Sequence, residues 1–194
     1  HSVNLGQERP DPGGAAFYDI KVNKAAVDKG VMLLSDAMAT HALVMTKGIF
    51  DYNGYTLFLP ESCTFVGGST PSWGMPANWS CAGAARLPNV IDTVTIPNGK
   101  SPVLSSLVTR VGPLAIESGA TLEVQAGGSL SVYGTSTNTG TITINSVGGS
   151  TAGIIALEGG GPSTSTNNGT ILALNGGKLA ANVPLQNLGF IDVS

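Results

Sequence analysis

Charge is scarce in this chain. Only 11% of its 194 residues are Asp, Glu, Lys or Arg, where about a quarter is usual for a soluble domain. Nine basic and 12 acidic residues leave a net charge of −3, and the basic ones form no cluster. Without a Lys/Arg patch, nucleic acid and anionic membrane surfaces are poor partners. No apolar run approaches the roughly 18 residues that a spanning helix needs, so no membrane insertion is expected. Histidine is confined to His1 and His41, and cysteine to Cys63 and Cys81. That is too few ligand types in one place for an evident metal centre, and no cofactor is expected. There is no G-x-S-x-G elbow. The Gly-Gly pairs lie between strand-like runs rather than ahead of a helix, which removes the phosphate-cradling loop as well.

What the chain has instead is glycine, 27 residues of it, with Ser, Thr and Asn at most polar positions. It also has a repeat. Residues 121–144 (TLEVQAGGSLSVYGTSTNTGTITI) align without a gap on residues 170–193 (TILALNGGKLAANVPLQNLGFIDV) at an offset of 49. Leu130 meets Leu179, Asn138 meets Asn187, Gly140 meets Gly189 and Ile142 meets Ile191. Self-similarity at a fixed period is the mark of stacked structural units. Within each copy the aliphatic anchors step by eight and then twelve residues: Leu122, Leu130, Ile142, and again Ile171, Leu179, Ile191. Each anchor sits in a short alternating run such as T-L-E-V or T-I-T-I, which predicts strands with one buried face. The breaks carry Gly-Gly, Ser-Gly and Asn-x-Gly, which is turn chemistry. A sandwich or barrel remains open to such a pattern, but the gapless repeat favours an all-β parallel solenoid with coils of about 20 residues.

The element N-x-G-x-I occurs at Asn138, Asn167 and Asn187, with spacings of 29 and 20. The longer spacing fits a coil carrying an inserted loop near 147–153 or 159–166. Stacked asparagines at a solenoid corner can form a side-chain ladder. Alternatively each one starts a turn ahead of its glycine, or contributes to a ligand site.

Residues 1–61 predict an N-terminal β unit, residues 62–91 a strand-poor connector or cap, and residues 92–194 the repeat solenoid. Within the first, 1–16 is an extended lead-in and F-Y-D-I-K-V-N-K (17–24) alternates as a strand. Residues 25–46 allow a helix or two strands about Ser35-Asp36, and 47–60 reads as strand, Asn53-Gly54 turn, strand. The chain starts at His1 rather than Met and stops after a strand. It is expected to be a processed product or a fragment of a longer polypeptide, other segments of which would be its partners.

The connector holds both cysteines and both tryptophans. An isolated Cys63/Cys81 pair in an exported protein reads most simply as a disulfide, with a nominal gain of roughly 3 kcal/mol. A metal site or two free thiols are the alternatives. Trp73 and Trp79, with Tyr133, make a candidate aromatic platform for a sugar. The competing reading has the two indoles closing the end of the hydrophobic coil over the Cys63–Cys81 bridge.

Residues 73–144 run from Trp73 and Trp79 through C-A-G (81–83), L-P (87–88), D-T-V-T-I-P-N-G (92–99), L-A-I-E-S-G-A-T-L-E-V (114–124) and S-L-S-V-Y-G (129–134) to N-T-G-T-I (138–142). This order resembles a module of large secreted and cell-surface proteins of Bacteroidetes, including adhesin-like proteins exported by type IX secretion. I-K-V-N-K, V-M-L-L-S-D, L-V-M-T-K-G and D-Y-N-G-Y-T-L within residues 18–59 are similar to another unit of those proteins, which is β and favours strands over 25–46. The resemblance implies export, a long modular parent and a C-terminal sorting domain, which this sequence does not contain. It implies no shared catalytic residue. Asp92-Thr93-Val94 looks like the O-glycosylation acceptor motif of that phylum and makes Thr93 a candidate site; it also reads as an ordinary strand start.

Parallel β-helices include polysaccharide lyases and hydrolases. From residue 114 onward the carboxylates are Glu117, Glu123, Glu158 and Asp192, and Lys178 is the only basic residue after Arg110. Glycoside hydrolysis needs two facing carboxylates, and a lyase needs a base with cationic support. Neither set is apparent. The expected function is therefore non-enzymatic: an extracellular or cell-surface stalk, spacer or adhesive segment. A carbohydrate-binding module using Trp73 and Trp79, or a fragment of a polysaccharide-active β-helix enzyme, is the alternative. Surface glycans or other surface proteins are the candidate external partners.

Overall fold

Alternating runs a few residues long, separated by glycine turns, cannot close helices, and the computed structural model of the chain contains no α-helix among the residues it describes. These are 15–23, 30–33, 37–47, 49–51, 53–54, 57–67, 71–147, 151–158 and 164–194. The chain divides into two compact units, residues 1–60 and residues 61–194.

In the first unit the strands are β1 (Ala15–Asn23), β2 (Gly30–Met32), β3 (Ala37–Lys47), β4 (Ile49–Asp51) and β5 (Leu57–Phe58). β1, β3 and β5 pair in parallel, and β2 pairs in parallel with β4. Each strand thus meets the next-but-one in sequence, which is coil stacking. Ile20, Val22, Val31 and Ala39 form the buried centre, with Leu43, Phe50 and Leu57 against it. The strands at Gly30–Met32 and Ala37–Lys47 decide the ambiguous 25–46 segment for β where it is described; its Ser35-Asp36 turn lies outside the described residues, as do residues 1–14 of the 1–16 lead-in, while Ala15 and Ala16 already belong to β1. Asn53 and Gly54 do turn the chain, both at positive φ. The strands that flank them belong to different sheets, so the turn is a coil corner and not the tip of a hairpin.

The second unit has three faces. The first is built from β6 (Ser62–Phe65), β8 (Thr93–Ile96), β11 (Leu114–Ile116), β14 (Ser136–Asn138), β17 (Ser165–Asn167) and β20 (Leu185–Asn187). The second holds β9 (Val103–Leu104), β12 (Thr121–Gln125), β15 (Thr141–Asn145), β18 (Thr170–Leu174) and β21 (Phe190–Val193). The third holds β10 (Val108–Val111), β13 (Ser129–Val132), β16 (Ile154–Leu157) and β19 (Lys178–Ala181). All pairs between these strands are parallel, and the chain visits the faces in turn: a parallel β-solenoid with coils of about 22 residues. The coils are slightly longer than the 20 read from the anchor steps.

Register explains the repeat. On the second face Leu122 stacks on Ile142, Ile142 on Ile171, and Ile171 on Ile191. On the third, Leu130 stacks on Ile155 and Ile155 on Leu179. The offset of 49 therefore spans two coils, and an intervening coil separates Leu130 from Leu179. That intervening coil is long because both candidate insertions are present. Nine residues lead from Asn145 to Ile154, where four lead from Gln125 to Ser129. Eight lead from Leu157 to Ser165, where four lead from Val132 to Ser136. The extra length falls between strands, and the described strands keep their columns. Leu104, Leu122, Val124, Leu130, Val132 and Ile144 are fully buried in the resulting core. Burial of each such side chain is worth about 1.5–3 kcal/mol.

At the first end of this solenoid two of the three faces carry a further partner. β7 (Trp79–Cys81) folds back antiparallel on β6, and Ser72 bridges to Val103 along the free edge of β9. Paired edges of this kind blunt strand addition at that end.

Candidate functional site

Three clusters gather the polar, aromatic and cysteine residues of the solenoid. The first is the asparagine column. Inward positions on the first face run Ile96, Ile116, Asn138, Asn167, Asn187. Asn138 and Asn167 are buried in what is otherwise an aliphatic column. A buried amide must be hydrogen-bonded to be tolerated, and here each satisfies the next. Asn138 Nδ2 donates to Asn167 Oδ1 at 2.7 Å, and Asn167 Nδ2 donates to Asn187 Oδ1 at 2.7 Å. Asn138 Nδ2 also reaches the Thr170 carbonyl at 3.1 Å, and its Oδ1 accepts from the Gly140 N–H at 3.1 Å. All the donors point toward the C-terminal end, so the ladder has a polarity. The glycine of each N-x-G has a steric reason. A Cβ added to Gly169 would collide with the Gly140 carbonyl oxygen, and one on Gly189 with the Gly169 carbonyl oxygen. The asparagines thus start corners and stack, and their side chains are spent inside the coil.

The second cluster is the cap. Cys63 and Cys81 are directly paired across β6 and β7 and form a disulfide. Trp73 and Trp79 are 0% and 1% exposed. Their rings meet edge-on at 4.6 Å with an interplanar angle of 66°, and Phe65 meets Trp79 at 5.0 Å and 82°. The Trp79 indole N–H donates to the Trp73 carbonyl at 2.8 Å, while the Trp73 indole N–H has no acceptor among the described residues. The expectation of Trp73 and Trp79 as a glycan contact is thereby corrected. A sugar stacks on an exposed aromatic face, and these faces are consumed by each other, by Phe65 and by the solenoid core. Tyr133 is 37% exposed at the corner after β13 and is not part of that cluster.

The third cluster, beside the cap, was not foreseen from sequence. Arg86 lies between two carboxylates, with Nη2 2.6 Å from Glu61 Oε2 and Nη1 2.7 Å from Asp92 Oδ2. Asp92 is fully buried and also accepts from the backbone N–H groups of Glu61 at 3.0 Å and Asn89 at 2.8 Å. The hydrogen bond to Asp92 pushes the Arg86 pKa up against the opposing effect of burial, and Glu61 adds to the rise. Arg86 and Asp92 lie only six residues apart in the sequence, but nothing local says that Asp92 is buried. Thr93, next to Asp92, is exposed at the start of β8. Its neighbour's carboxylate is committed to Arg86.

Cys63, Cys81 and Asp92 bring potential metal-ligand atoms within 4.8 Å of one another, the one such group among the described residues. The two sulfurs are bonded to each other and the carboxylate is held by a guanidinium, so the donor set does not suit a cation. Three further carboxylates are separately engaged. Glu117 accepts from the Asn98 N–H at 3.1 Å, Glu123 from Gln125 Nε2 at 3.0 Å, and Glu158 from Asn182 Nδ2 at 2.8 Å. No helix among the described residues is long and apolar enough to cross a membrane. Comparison with protein-family models, with curated proteins and with solved structures finds no match to this chain.

Proposed function

We propose that this chain is a non-enzymatic structural segment of an extracellular or cell-surface protein, a solenoid spacer or adhesive stalk of the kind found in Bacteroidetes surface proteins exported by type IX secretion. The observation that carries the reading is the way polar groups are used in residues 61–194. Asn138 and Asn167 are buried and spent on coil-to-coil hydrogen bonds, and Asp92 and Glu61 are spent on Arg86. Such groups hold a rod in register rather than face a substrate. The Cys63–Cys81 disulfide supports an oxidising compartment, since such bonds persist outside the cytosol. Stiffness follows from the architecture: each coil is hydrogen-bonded to the next along three faces, so extension requires peeling a whole coil.

Antibody labelling of intact producing cells tests the location, and reducing-end release from a polysaccharide panel tests the chemistry. Surface label and no release are expected. A cytosolic chain with reduced thiols would refute the location, and sugar release abolished by one carboxylate substitution would refute the absence of catalysis.

A further inference from the structure

Outside these clusters, an open groove of about 460 Å³ runs along the corner between the second and third faces of the solenoid. Its walls come from three successive coils: Ser105 and Ser106 after β9, Glu123 and Gln125 on β12, and Asn145 at the end of β15. Gln125 pairs directly with Asn145 across the sheet, and Glu123 with Val103, so the polar side chains share one outward surface.

We infer that this groove is a binding site for a neutral, polyhydroxylated ligand, a sugar unit presenting adjacent hydroxyl groups. The hydrogen-bonding pattern argues for that chemistry. Gln125 Nε2 donates to Glu123 Oε1 at 3.0 Å, which orients the Gln125 amide and leaves its oxygen, and the second Glu123 oxygen, as acceptors. Asn145 Oδ1 already accepts from the Val147 N–H at 3.2 Å and from Asn175 Nδ2 at 3.0 Å. Its orientation is thereby set, with Nδ2 left as a donor. The Ser105 and Ser106 hydroxyls add groups that both donate and accept. Pre-oriented donors and acceptors side by side match a diol, in which each hydroxyl gives one hydrogen bond and takes another. Among the described residues Glu123 is the only charged group lining the groove. It strengthens bonds from neutral hydroxyls and repels uronates, sulfates and phosphates.

A second feature marks the same place. Ser106 is held at φ 52°, in the left-handed region that a residue with a side chain adopts at a cost. Gly127, at the corner of the next coil, also has a positive φ, and a Cβ added there would lie 3.5 Å from the Ser106 Cα. The serine gives the groove a hydroxyl that glycine could not. The groove holds a single carboxylate and no aromatic ring, which fits weak, repeated holding of a glycan rather than its hydrolysis.

The test is an NMR titration of the ¹⁵N-labelled full chain with neutral hexasaccharides of glucose, xylose, mannose and galactose, with hexagalacturonate as the acidic probe, to millimolar concentration. Saturable amide shifts at residues 105–106, 123–126 and 145–147 are expected with at least one neutral probe and not with the acidic one. E123Q and N145A are each expected to weaken that binding about tenfold or more, with thermal unfolding unchanged. The inference is overturned if no neutral probe shifts these amides, if shifts map elsewhere, or if the acidic probe binds as well. Retained affinity in both variants, checked as folded by their spectra, overturns it too.

Discussion

Replacing Asn167 tests the ladder where it is most enclosed. Asn167 is 0% exposed, accepts from Asn138 at 2.7 Å and donates to Asn187 at 2.7 Å. Its Nδ2 also lies 3.3 Å from the Gly169 and Phe190 carbonyls. Asn167→Ala deletes both ladder bonds, each worth about 0.5–1.5 kcal/mol net, and opens a small void. Asn138 Nδ2 keeps the Thr170 carbonyl and Asn187 is exposed, so neither is stranded. The sum is roughly 2–4 kcal/mol. Asn167→Asp leaves the shape intact but turns the donor into an oxygen facing the Asn187 oxygen and two carbonyls, and it buries a charge. Its cost is expected to exceed that of the alanine variant at pH 7. Burial raises the folded-state pKa of the new carboxyl above its unfolded value of about 3.9, because the charged form is the one disfavoured. A group with a raised folded pKa is relatively stabilising only when protonated, so the penalty is present above the folded pKa and shrinks as pH falls through it toward the unfolded value. Hydrogen exchange of residues 165–193, read separately from the first unit, measures the opening free energy of these coils. Exchange in Asn167→Asp within about 0.5 kcal/mol of wild type at pH 7 would refute the claim that the ladder stabilises the solenoid.

Other substitutions probe the remaining contacts. Leu130→Ala should cost about 2–5 kcal/mol in urea unfolding, while Ser129→Ala, on the outer side of the same strand, should stay within about 0.5 kcal/mol. Gly169→Ala should lose at least about 3 kcal/mol or fail to fold cooperatively, because the new methyl meets the Gly140 carbonyl with no flexible atom to yield. Arg86→Met leaves Asp92 buried without its counter-charge and should cost roughly 3–5 kcal/mol; a double variant that also carries Asp92→Asn should recover part of it. Intact mass after alkylation should show no adduct until reductant is added, and reduction should change the Trp73/Trp79 fluorescence before the far-ultraviolet strand signal falls; ready alkylation without reductant counts against the bridge.

Much of the solenoid is legible in the chain because its determinants are local or periodic. Alternation in T-L-E-V and S-L-S-V says which side chains turn inward, since the strand period is two residues whatever lies beside it. The recurrence of N-x-G-x-I reports coil length directly: an amide buried at one corner needs its partner one coil on, and Gly169 must meet Gly140 without a Cβ. The cysteine pair needed only proximity in a short segment.

Which residues become neighbours was decided by the tertiary structure. The N-x-G-x-I spacings of 29 and 20 make the offset of 49 two coils, but they do not say which aliphatic side chain of the middle coil falls between Leu130 and Leu179. That depends on how many residues each corner absorbs, and strand alternation is blind to corner length; the residue is Ile155. The fate of the tryptophans was equally hidden. An indole beside glycine and proline reads alike as a sugar platform or a plug until the chain folds back to lay β7 on β6. Arg86 meets Glu61, 25 residues away, only through that same fold-back. The groove at Glu123 exists only because three coils stack. The sequence by itself determined which side chains of the alternating strands face inward and the period of the coil. Contacts across coils and at the cap depend on chain closure, which no single segment encodes.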